Sequence, residues 1–234
     1  LSLVSLPDYD LNQRNSIESE SFINKITLGV YELGSVFKTF AIAAGLESKT
    51  ISSNTVFKDL EHSITCDKYT ISEHDKLPKK LNTEQILVRS SNIGAVRIAQ
   101  RVGVKKYSNF LKSLDLLDAI DFDLDEVGTP LSFKWGKCKL ATTSYGHGIT
   151  TTPLQLANAY AILGNGGYKI EPSILKKEKN YLEKRKKIIS EETSNKLNLM
   201  LRKVVSLDEG TANFANIEGY EVAGKTGTSM KYNS

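Results

Sequence analysis

Cysteine, histidine and long apolar runs are all scarce in this 234-residue chain, and each scarcity argues against a class of protein. The two cysteines form no CxxC pair and the three histidines have no ligand spacing, which argues against a zinc site. No stretch approaches the ~18 consecutive apolar residues that a membrane-spanning helix needs. The net charge of +4 is too small to indicate a nucleic-acid partner. The densest basic stretch, Lys176–Lys187, also contains glutamates, so a solvated loop is favoured over a phosphate- or membrane-binding patch.

The cysteines and histidines lie outside the motifs described below. Cys66 and Cys138 are predicted to be structural thiols, and a disulfide between them is the alternative for a protein in an oxidising compartment. No feature of the sequence marks a catalytic base among the histidines, which are His62, His74 and His147.

The apolar pattern predicts one α+β domain that is rich in helices and poor in strands. Ser35–Ser48 is apolar almost all round, which is typical of a buried helix. Strands are predicted at Tyr168–Leu175 and Tyr220–Thr228. Further helices are predicted at Glu84–Arg89, Ile93–Val102, Lys105–Leu114, Pro153–Leu163 and Glu191–Ser206.

Three short motifs, in a fixed order, carry the chemistry. Ser35 is followed by Lys38, then Ser90-Ser91-Asn92 occurs, and Lys225–Thr228 reads KTGT. Each motif alone is weak, because short patterns match by chance. Together they supply a nucleophile with a nearby lysine, a second hydroxyl with an amide, and a cation with hydroxyls, which is the set expected of a serine acyl-transfer enzyme that uses lysine as its base.

The first motif predicts how a serine hydroxyl is activated. Ser35 and Lys38 are three positions apart, so they lie on one face of a helix. Lysine serves as a base only when its pKa is depressed, and burial, the positive end of the helix dipole and a second cation from Lys225 all act in that direction.

The second and third motifs predict how substrate is held. Ser90 can relay a proton between Lys38 and a leaving amine, and Asn92 can donate to a substrate carbonyl and accept from Lys38. Lys225, Thr226 and Thr228 can form a pocket for a carboxylate, and Gly227 lets a peptide approach as an added strand. The backbone N–H groups of Ser35 and Thr228 can form an oxyanion hole.

Two of the letter patterns occur twice. Ser173 and Lys176 repeat the first motif, but they lie in strand-like sequence, where residues three apart face opposite sides. Ser52-Ser53-Asn54 repeats the second motif at the far end of the predicted Ser35 helix, on the order of 20 Å from the nucleophile. Neither copy is predicted to belong to the site.

The sequence around the motifs resembles the transpeptidase domain of class B penicillin-binding proteins. The resemblance rests on YELGSVFK, LVRSSNIGAVRIAQRVG, SYGHGITTTPLQLANAYAILGNGG and EGTANFANIEGYEVAGKTGTS. SSN at the second motif is more similar to division-specific septal members than to elongation members. The resemblance implies an α+β, β-lactamase-like fold with a helical cluster and an antiparallel sheet. Residues 1–234 are expected to form a partial domain that lacks the N-terminal anchor and pedestal, and the strands and helix after the KTG motif.

The resemblance implies a peptidoglycan D,D-transpeptidase that uses no cofactor or metal. Ser35 would attack the D-Ala-D-Ala bond of a stem peptide, and an amine from a second stem peptide would resolve the acyl-enzyme. The catalytic residues would be Ser35, Lys38, Ser90, Asn92 and Lys225. β-Lactam antibiotics would acylate the same serine. Membrane proteins of the division machinery would be partners, at the periplasmic face of the bacterial inner membrane.

Three alternatives remain open at this stage. A D,D-carboxypeptidase differs only in accepting water as the nucleophile. A β-lactamase needs a glutamate to activate water, and Glu191 and Asn195 have a comparable ExxxN spacing, without the leucine that the motif would have between them. An inactive fragment or a division scaffold is the third, because an edge strand without its neighbours leaves backbone groups unpaired.

Overall fold

The computed structural model describes residues 4–8, 10, 12–13, 23–176 and 185–229. Most of the basic stretch Lys176–Lys187 lies outside these residues. The helices are α1 (Phe37–Glu47), α2 (Thr83–Val88), α3 (Asn92–Val102), α4 (Val104–Ser113), α5 (Lys137–Thr143), α6 (Pro153–Gly164) and α7 (Glu191–Ser206). The strands are β1 (Val56–Phe57), β2 (Ser63–Cys66), β3 (Tyr69–Ser72) and β4 (Leu81–Asn82).

Helix α1 is the centre of the core. Every residue from Phe37 to Leu46 is buried, as its apolar sequence predicts. The helix packs against α3, α7, α4 and α2. Its first turn is anchored by α6, because the Tyr160 hydroxyl donates to the Val36 carbonyl at 2.9 Å and lies 2.9 Å from the Thr39 hydroxyl. The start of α1, where Ser35 lies, is therefore held from several sides.

Local capping sets the boundaries of the surrounding helices. Asn82 begins α2 with a capping box that it forms with Gln85, and Thr152 begins α6 in the same way, with Pro153 in its first turn. Ser190 caps α7 by accepting from the N–H of Thr193 at 3.2 Å. The helices predicted from the sequence are all confirmed within a few residues. The short helix α5 was not predicted.

The strands form two small antiparallel ribbons, β1 with β4 and β2 with β3. Both longer strands predicted from the sequence are wrong within the part of the chain that the structure describes. At Tyr168–Leu175 only Tyr168 makes a bridge, to Lys187, and Tyr220–Thr228 pairs with no other strand among the described residues. Strand-like sequence becomes a strand only where a neighbouring backbone completes its hydrogen bonds.

A disulfide joins Cys66, at the end of β2, to Cys138 in α5, with a Cα–Cα distance of 5.5 Å. The prediction of two separate structural thiols is therefore wrong. Residues 72 positions apart are brought together because α5 packs against the β2–β3 hairpin. Helix α5 is short and contains two threonines, so its own sequence gave little helix signal.

Among the described residues, no helix has both the length and the apolar composition required to cross a bilayer.

Candidate active site

Ser35 lies in a single 3-10 turn, Gly34–Val36, that leads directly into α1. Only 9% of Ser35 is exposed. Gly34 has a φ of +60°, and a Cβ on it would lie 2.0 Å from the carbonyl oxygen of Thr228. A Cβ on Gly146 would lie 1.9 Å from the Gly34 carbonyl oxygen. The turn that contains Ser35 thus packs tightly between the third motif and the loop after α5. Only glycine fits at Gly34 and Gly146, where these close approaches occur.

Lys38 lies in the first turn of α1 and has no exposed surface. Its Nζ donates to the Ser90 carbonyl at 2.5 Å and to the Ser90 hydroxyl at 2.9 Å. Burial lowers the pKa of Lys38 to about 7, and the Lys225 cation acts in the same direction while Glu73 opposes it. The depressed pKa brings the neutral form of the Lys38 amine, which a general base requires, within reach of neutral pH.

Ser90 lies in the break between α2 and α3, as predicted. Its φ is +57°, in the left-handed region that disfavours residues with a Cβ. This conformation aims both its carbonyl and its hydroxyl at Lys38. Ser91 follows as the N-cap of α3 and accepts from the N–H of Gly94 at 2.8 Å. A strained residue between two helices thus meets the buried lysine.

Asn92 is buried at the first position of α3. Its Nδ2 donates to the Ser72 carbonyl at 2.7 Å. Its Oδ1 is buried, and within the described part of the chain it has no hydrogen-bond partner. The predicted bond from Lys38 to Asn92 is therefore not made, because Lys38 is directed at Ser90. Oδ1 and the second Nδ2 hydrogen of Asn92 thus have no hydrogen-bond partner among the described residues.

The third motif is held beside the site by α7 and by the segment after it. Lys225 Nζ donates to the carbonyl and the hydroxyl of Thr226, both at 3.1 Å, and the Thr226 hydroxyl donates to Thr211 at 3.1 Å. The N–H of Gly224 donates to the Leu201 carbonyl of α7 at 3.2 Å. Burial lowers the pKa of Lys225 to about 8.

Two cavities of about 200 and 220 Å³ meet at Ser35. Both are also lined by His74 and Thr228. The first is further lined by Glu73, Arg89, Ser90, Thr211 and Thr226. The second is further lined by Glu32, Ser72, Asn92, Tyr145 and His147. The structure therefore brings residues from all three motifs to one cleft with room on either side of Ser35.

Sequence analysis missed several residues of this cleft. Glu73 is buried and binds the start of α3, and Arg89 lines the first cavity with its Nε buried and without a hydrogen bond among the described residues. His147 lies 3.5 Å from Glu32, which accepts from the N–H of Gly148 at 2.9 Å. In the sequence these residues are marked only by lying near the motifs. That position does not indicate whether a side chain points into the cleft or away from it.

The second copies of the motif letters lie away from this cleft, as predicted. Ser52-Ser53-Asn54 follows the C-terminal end of α1, opposite the end that carries Ser35. Ser173 donates to Asp123 at 2.6 Å in an exposed loop. No cluster of three or more histidine, cysteine, aspartate or glutamate side chains suited to a metal occurs among the described residues.

Comparison with known proteins places these features in a family. The Penicillin binding protein transpeptidase domain family matches residues 1–234. The chain is 34% identical over 234 residues to the probable peptidoglycan D,D-transpeptidase FtsI of Caulobacter vibrioides, covering 99% of this chain and 40% of that protein. It is 31% identical over 247 residues to the stage V sporulation protein D of Bacillus subtilis, covering 99% of this chain and 38% of that protein. The chain thus spans about 40% of the length of such relatives.

Solved structures show the same fold. The transpeptidase domain of Burkholderia pseudomallei penicillin-binding protein 3 matches with a TM-score of 0.83 at 27% identity, covering 89% of this chain and 63% of that one. Penicillin-binding protein 3 of Mycobacterium tuberculosis, solved with aztreonam, matches with a TM-score of 0.79 at 27% identity, covering 90% of this chain and 50% of that one. The predicted α+β fold is confirmed, and the chain belongs to the penicillin-binding-protein transpeptidase domain family.

Proposed function

We propose that this chain carries the acyl-transfer centre of a peptidoglycan D,D-transpeptidase, and that residues 1–234 form part of its transpeptidase domain. The observation that carries the proposal is the buried Lys38 amine, with a pKa near 7, bonded to the Ser90 hydroxyl beside the cleft that Ser35 lines. A neutral amine at this position is the base that a serine nucleophile needs.

The acylation step follows from this placement. The Ser35 oxygen attacks the carbonyl carbon between the last two D-alanines of a stem peptide, and its proton passes to the neutral Lys38 amine. A C–O bond forms, and the tetrahedral intermediate then breaks its C–N bond. The Lys38 ammonium donates through the Ser90 hydroxyl, to which it is already bonded, so that terminal D-alanine leaves as an amine.

The substrate carries negative charge in two places, the oxyanion that forms during attack and the terminal carboxylate, and the site has donors for both. The N–H of Thr228 makes no hydrogen bond within the described part of the chain, and we assign it, with the N–H of Ser35, to the oxyanion. Lys225 and Thr226 bind the terminal carboxylate. Gly227 lets the third motif approach the segment before Ser35, because a Cβ on it would lie 2.7 Å from the Leu33 carbonyl oxygen. Arg89 lines the cavity that Thr226 lines, and its guanidinium, which lies 3.7 Å from Glu209, adds a second cation for a carboxylate.

An amine from a second stem peptide completes the reaction. It attacks the acyl-enzyme carbonyl and gives up a proton to the neutral Lys38 amine through the Ser90 hydroxyl. The ester C–O bond then breaks, and the Ser35 oxygen takes that proton from the Lys38 ammonium. The new amide is the cross-link. Asn92 lines the second cavity beside Ser35, where its side-chain amide holds the donor chain.

A β-lactamase is less well supported. Glu191, the candidate water activator, is the exposed first residue of α7. Its neighbour Ser190 is bonded to Glu47 at the C-terminal end of α1, whereas Ser35 precedes the N-terminal end. The eleven residues of α1 separate the two ends by about 15 Å.

The disulfide supports the proposed setting of this reaction. A Cys66–Cys138 bond persists in an oxidising compartment such as the bacterial periplasm. We therefore place the centre at the periplasmic face of the inner membrane, with stem peptides as substrates, β-lactams as covalent inhibitors and division proteins of that membrane as partners.

Intact-mass measurement with a labelled penicillin tests the proposal. We expect one stable adduct on the parent chain, located at Ser35 by peptide mapping, and none on Ser35→Ala of equal thermal stability. A folded parent without an adduct, or an adduct that persists in Ser35→Ala, would overturn it. Rapid loss of the adduct with release of the opened drug would indicate a hydrolase instead.

A further inference from the structure

The carboxylate of Glu73 is buried, with 7% of the residue exposed, and it directly follows strand β3. It accepts three hydrogen bonds from the start of α3. The Ser91 hydroxyl donates at 2.5 Å, the N–H of Asn92 at 2.7 Å and the N–H of Ile93 at 3.1 Å. The second motif is therefore held by a side chain 18 positions away from it in sequence.

A buried carboxylate is costly unless every lone pair has a partner. The free N–H groups at a helix N-terminus and the positive end of its dipole supply that compensation here. Ser91 already caps α3 through the N–H of Gly94, so the helix would be capped without Glu73. Glu73 thus does more than terminate the helix: it attaches the helix start to the β2–β3 hairpin.

The residue before Glu73 contributes to the same attachment. The Ser72 carbonyl accepts from Nδ2 of Asn92 at 2.7 Å, so consecutive hairpin residues hold both the backbone and the side chain of Asn92. Ser90, which carries the strained φ and binds Lys38, immediately precedes the attached residues. Movement of the hairpin relative to α3 would therefore displace the Lys38 partner.

We propose that Glu73 is a positioning residue of the acyl-transfer centre, which through the start of α3 holds Ser90 and Asn92 in place and whose negative charge acts on Lys38. This inference rests on the proposed function. Glu73 touches no reacting atom in this scheme and acts through the second motif.

Electrostatics separate this role from a merely structural one. The charged groups that act on Lys38 from the elements packed around it are Lys225, which lowers its pKa, and Glu73, which raises it. Removing the Glu73 charge leaves Lys225 unopposed, so the pKa of Lys38 falls further. The acid limb of the acylation rate, which is the fall in rate as Lys38 becomes protonated at low pH, then moves to lower pH. A variant that only destabilises the fold would not move this limb.

Glu47 provides a matched control at the other end of α1. Its carboxylate accepts from the N–H of Ser190 at 3.0 Å, from the Ser190 hydroxyl at 2.9 Å and from the Thr193 hydroxyl at 2.7 Å, at the start of α7. It is thus another glutamate that anchors a helix N-terminus by three bonds, but it lies away from the cleft.

The test compares Glu73→Gln, Ser91→Ala and Glu47→Gln with the parent for thermal midpoint and for the second-order rate of acylation by labelled penicillin between pH 5 and 9. We expect Glu73→Gln to slow acylation about 10- to 100-fold at its optimum, as small misplacements of catalytic groups do. Its acid limb should also move to lower pH. Ser91→Ala should slow acylation without moving the limb, because the charge remains. Glu47→Gln should lower only the thermal midpoint.

Unchanged rate and pH profile in folded Glu73→Gln would overturn the inference, as would an equal loss of rate in Glu47→Gln. If Glu73→Gln does not fold, Ser91→Ala tests the positioning role in its place. An acylation rate equal to that of the parent in Ser91→Ala would then overturn the inference. These outcomes are distinct from failure of the proposed function, which is a parent chain that forms no adduct at Ser35.

Discussion

The Nζ atom of Lys38 lies 2.9 Å from the Ser90 hydroxyl, although the two residues are 52 positions apart. The contact exists because α1 packs against α3, which brings the first turn of one helix to the residues before the other. Lys38 makes no hydrogen bond to Ser35 within the described residues. Its Nζ is bonded to the carbonyl and the hydroxyl of Ser90 instead. The Ser90 hydroxyl is thus placed to relay the proton that the proposed mechanism sends from Lys38 to the leaving amine.

The acylation rate should depend on pH as a bell. Below pH 7 the Lys38 amine, whose pKa is about 7, becomes protonated and cannot accept the Ser35 proton. Above pH 8 Lys225, whose pKa is about 8, loses the charge that binds the carboxylate. Stopped-flow acylation with a chromogenic cephalosporin between pH 5 and 10 measures both limbs.

Lys225→Gln checks the assignment of the acid limb. Removing the neighbouring cation raises the pKa of Lys38, so this limb should move to higher pH, opposite to the shift expected for Glu73→Gln. An acid limb that stays fixed in both variants would show that Lys38 does not control it.

Ser90 should show a conflict between stability and activity. Ser90→Gly and Ser90→Ala both remove the relay hydroxyl and should slow acylation about 100-fold or more. Only the glycine relieves the left-handed φ of +57°, so Ser90→Gly should be about 1–2 kcal/mol more stable to unfolding than Ser90→Ala. Urea unfolding of the pair measures this difference, and equal stabilities would contradict the strained geometry.

Gly146→Ala should disorganise the nucleophile. A Cβ at this position would meet the Gly34 carbonyl at 1.9 Å, so the turn that carries Ser35 must move. Gly219→Ala is the control, because Gly219 has a similar φ of +81° but no heavy atom within 4 Å of the added Cβ. We expect Gly146→Ala to cost about 1–3 kcal/mol of unfolding free energy more than the control and to lose most acylation. Similar behaviour of the two variants would show that this close approach is not maintained in solution.

Reduction of the disulfide should destabilise the domain. The Cys66–Cys138 bond closes a loop across 72 positions, and loss of such a crosslink costs about 2–5 kcal/mol. Thiol titration of the denatured protein should find no free thiol before reduction and two afterwards. A Cys66→Ser/Cys138→Ser variant should unfold at lower temperature and be insensitive to reductant. Two free thiols in oxidised protein from the periplasm would contradict the bond.

Much of the helical fold could be predicted because its signals are local. The apolar run after Ser35 requires a buried helix, and Asn82 and Ser190 cap helices by contacts within three residues. The prediction of a strand at Tyr220–Thr228 was wrong because strand formation depends on a contact that is not local. Its pairing depends on a partner backbone, and the described contacts of Gly224 are instead with α7.

The sequence by itself determined which side chains are available for acyl transfer and that Ser35 and Lys38 share a helix start, because both follow from residue chemistry and helical spacing. The tertiary structure alone decided that Lys38 is buried with a depressed pKa, that its partner is Ser90 and not Asn92, and that Glu73 holds the second motif. A pKa and a hydrogen-bond partner depend on the atoms that surround a group. Here those atoms come from distant parts of the chain, which only packing brings together.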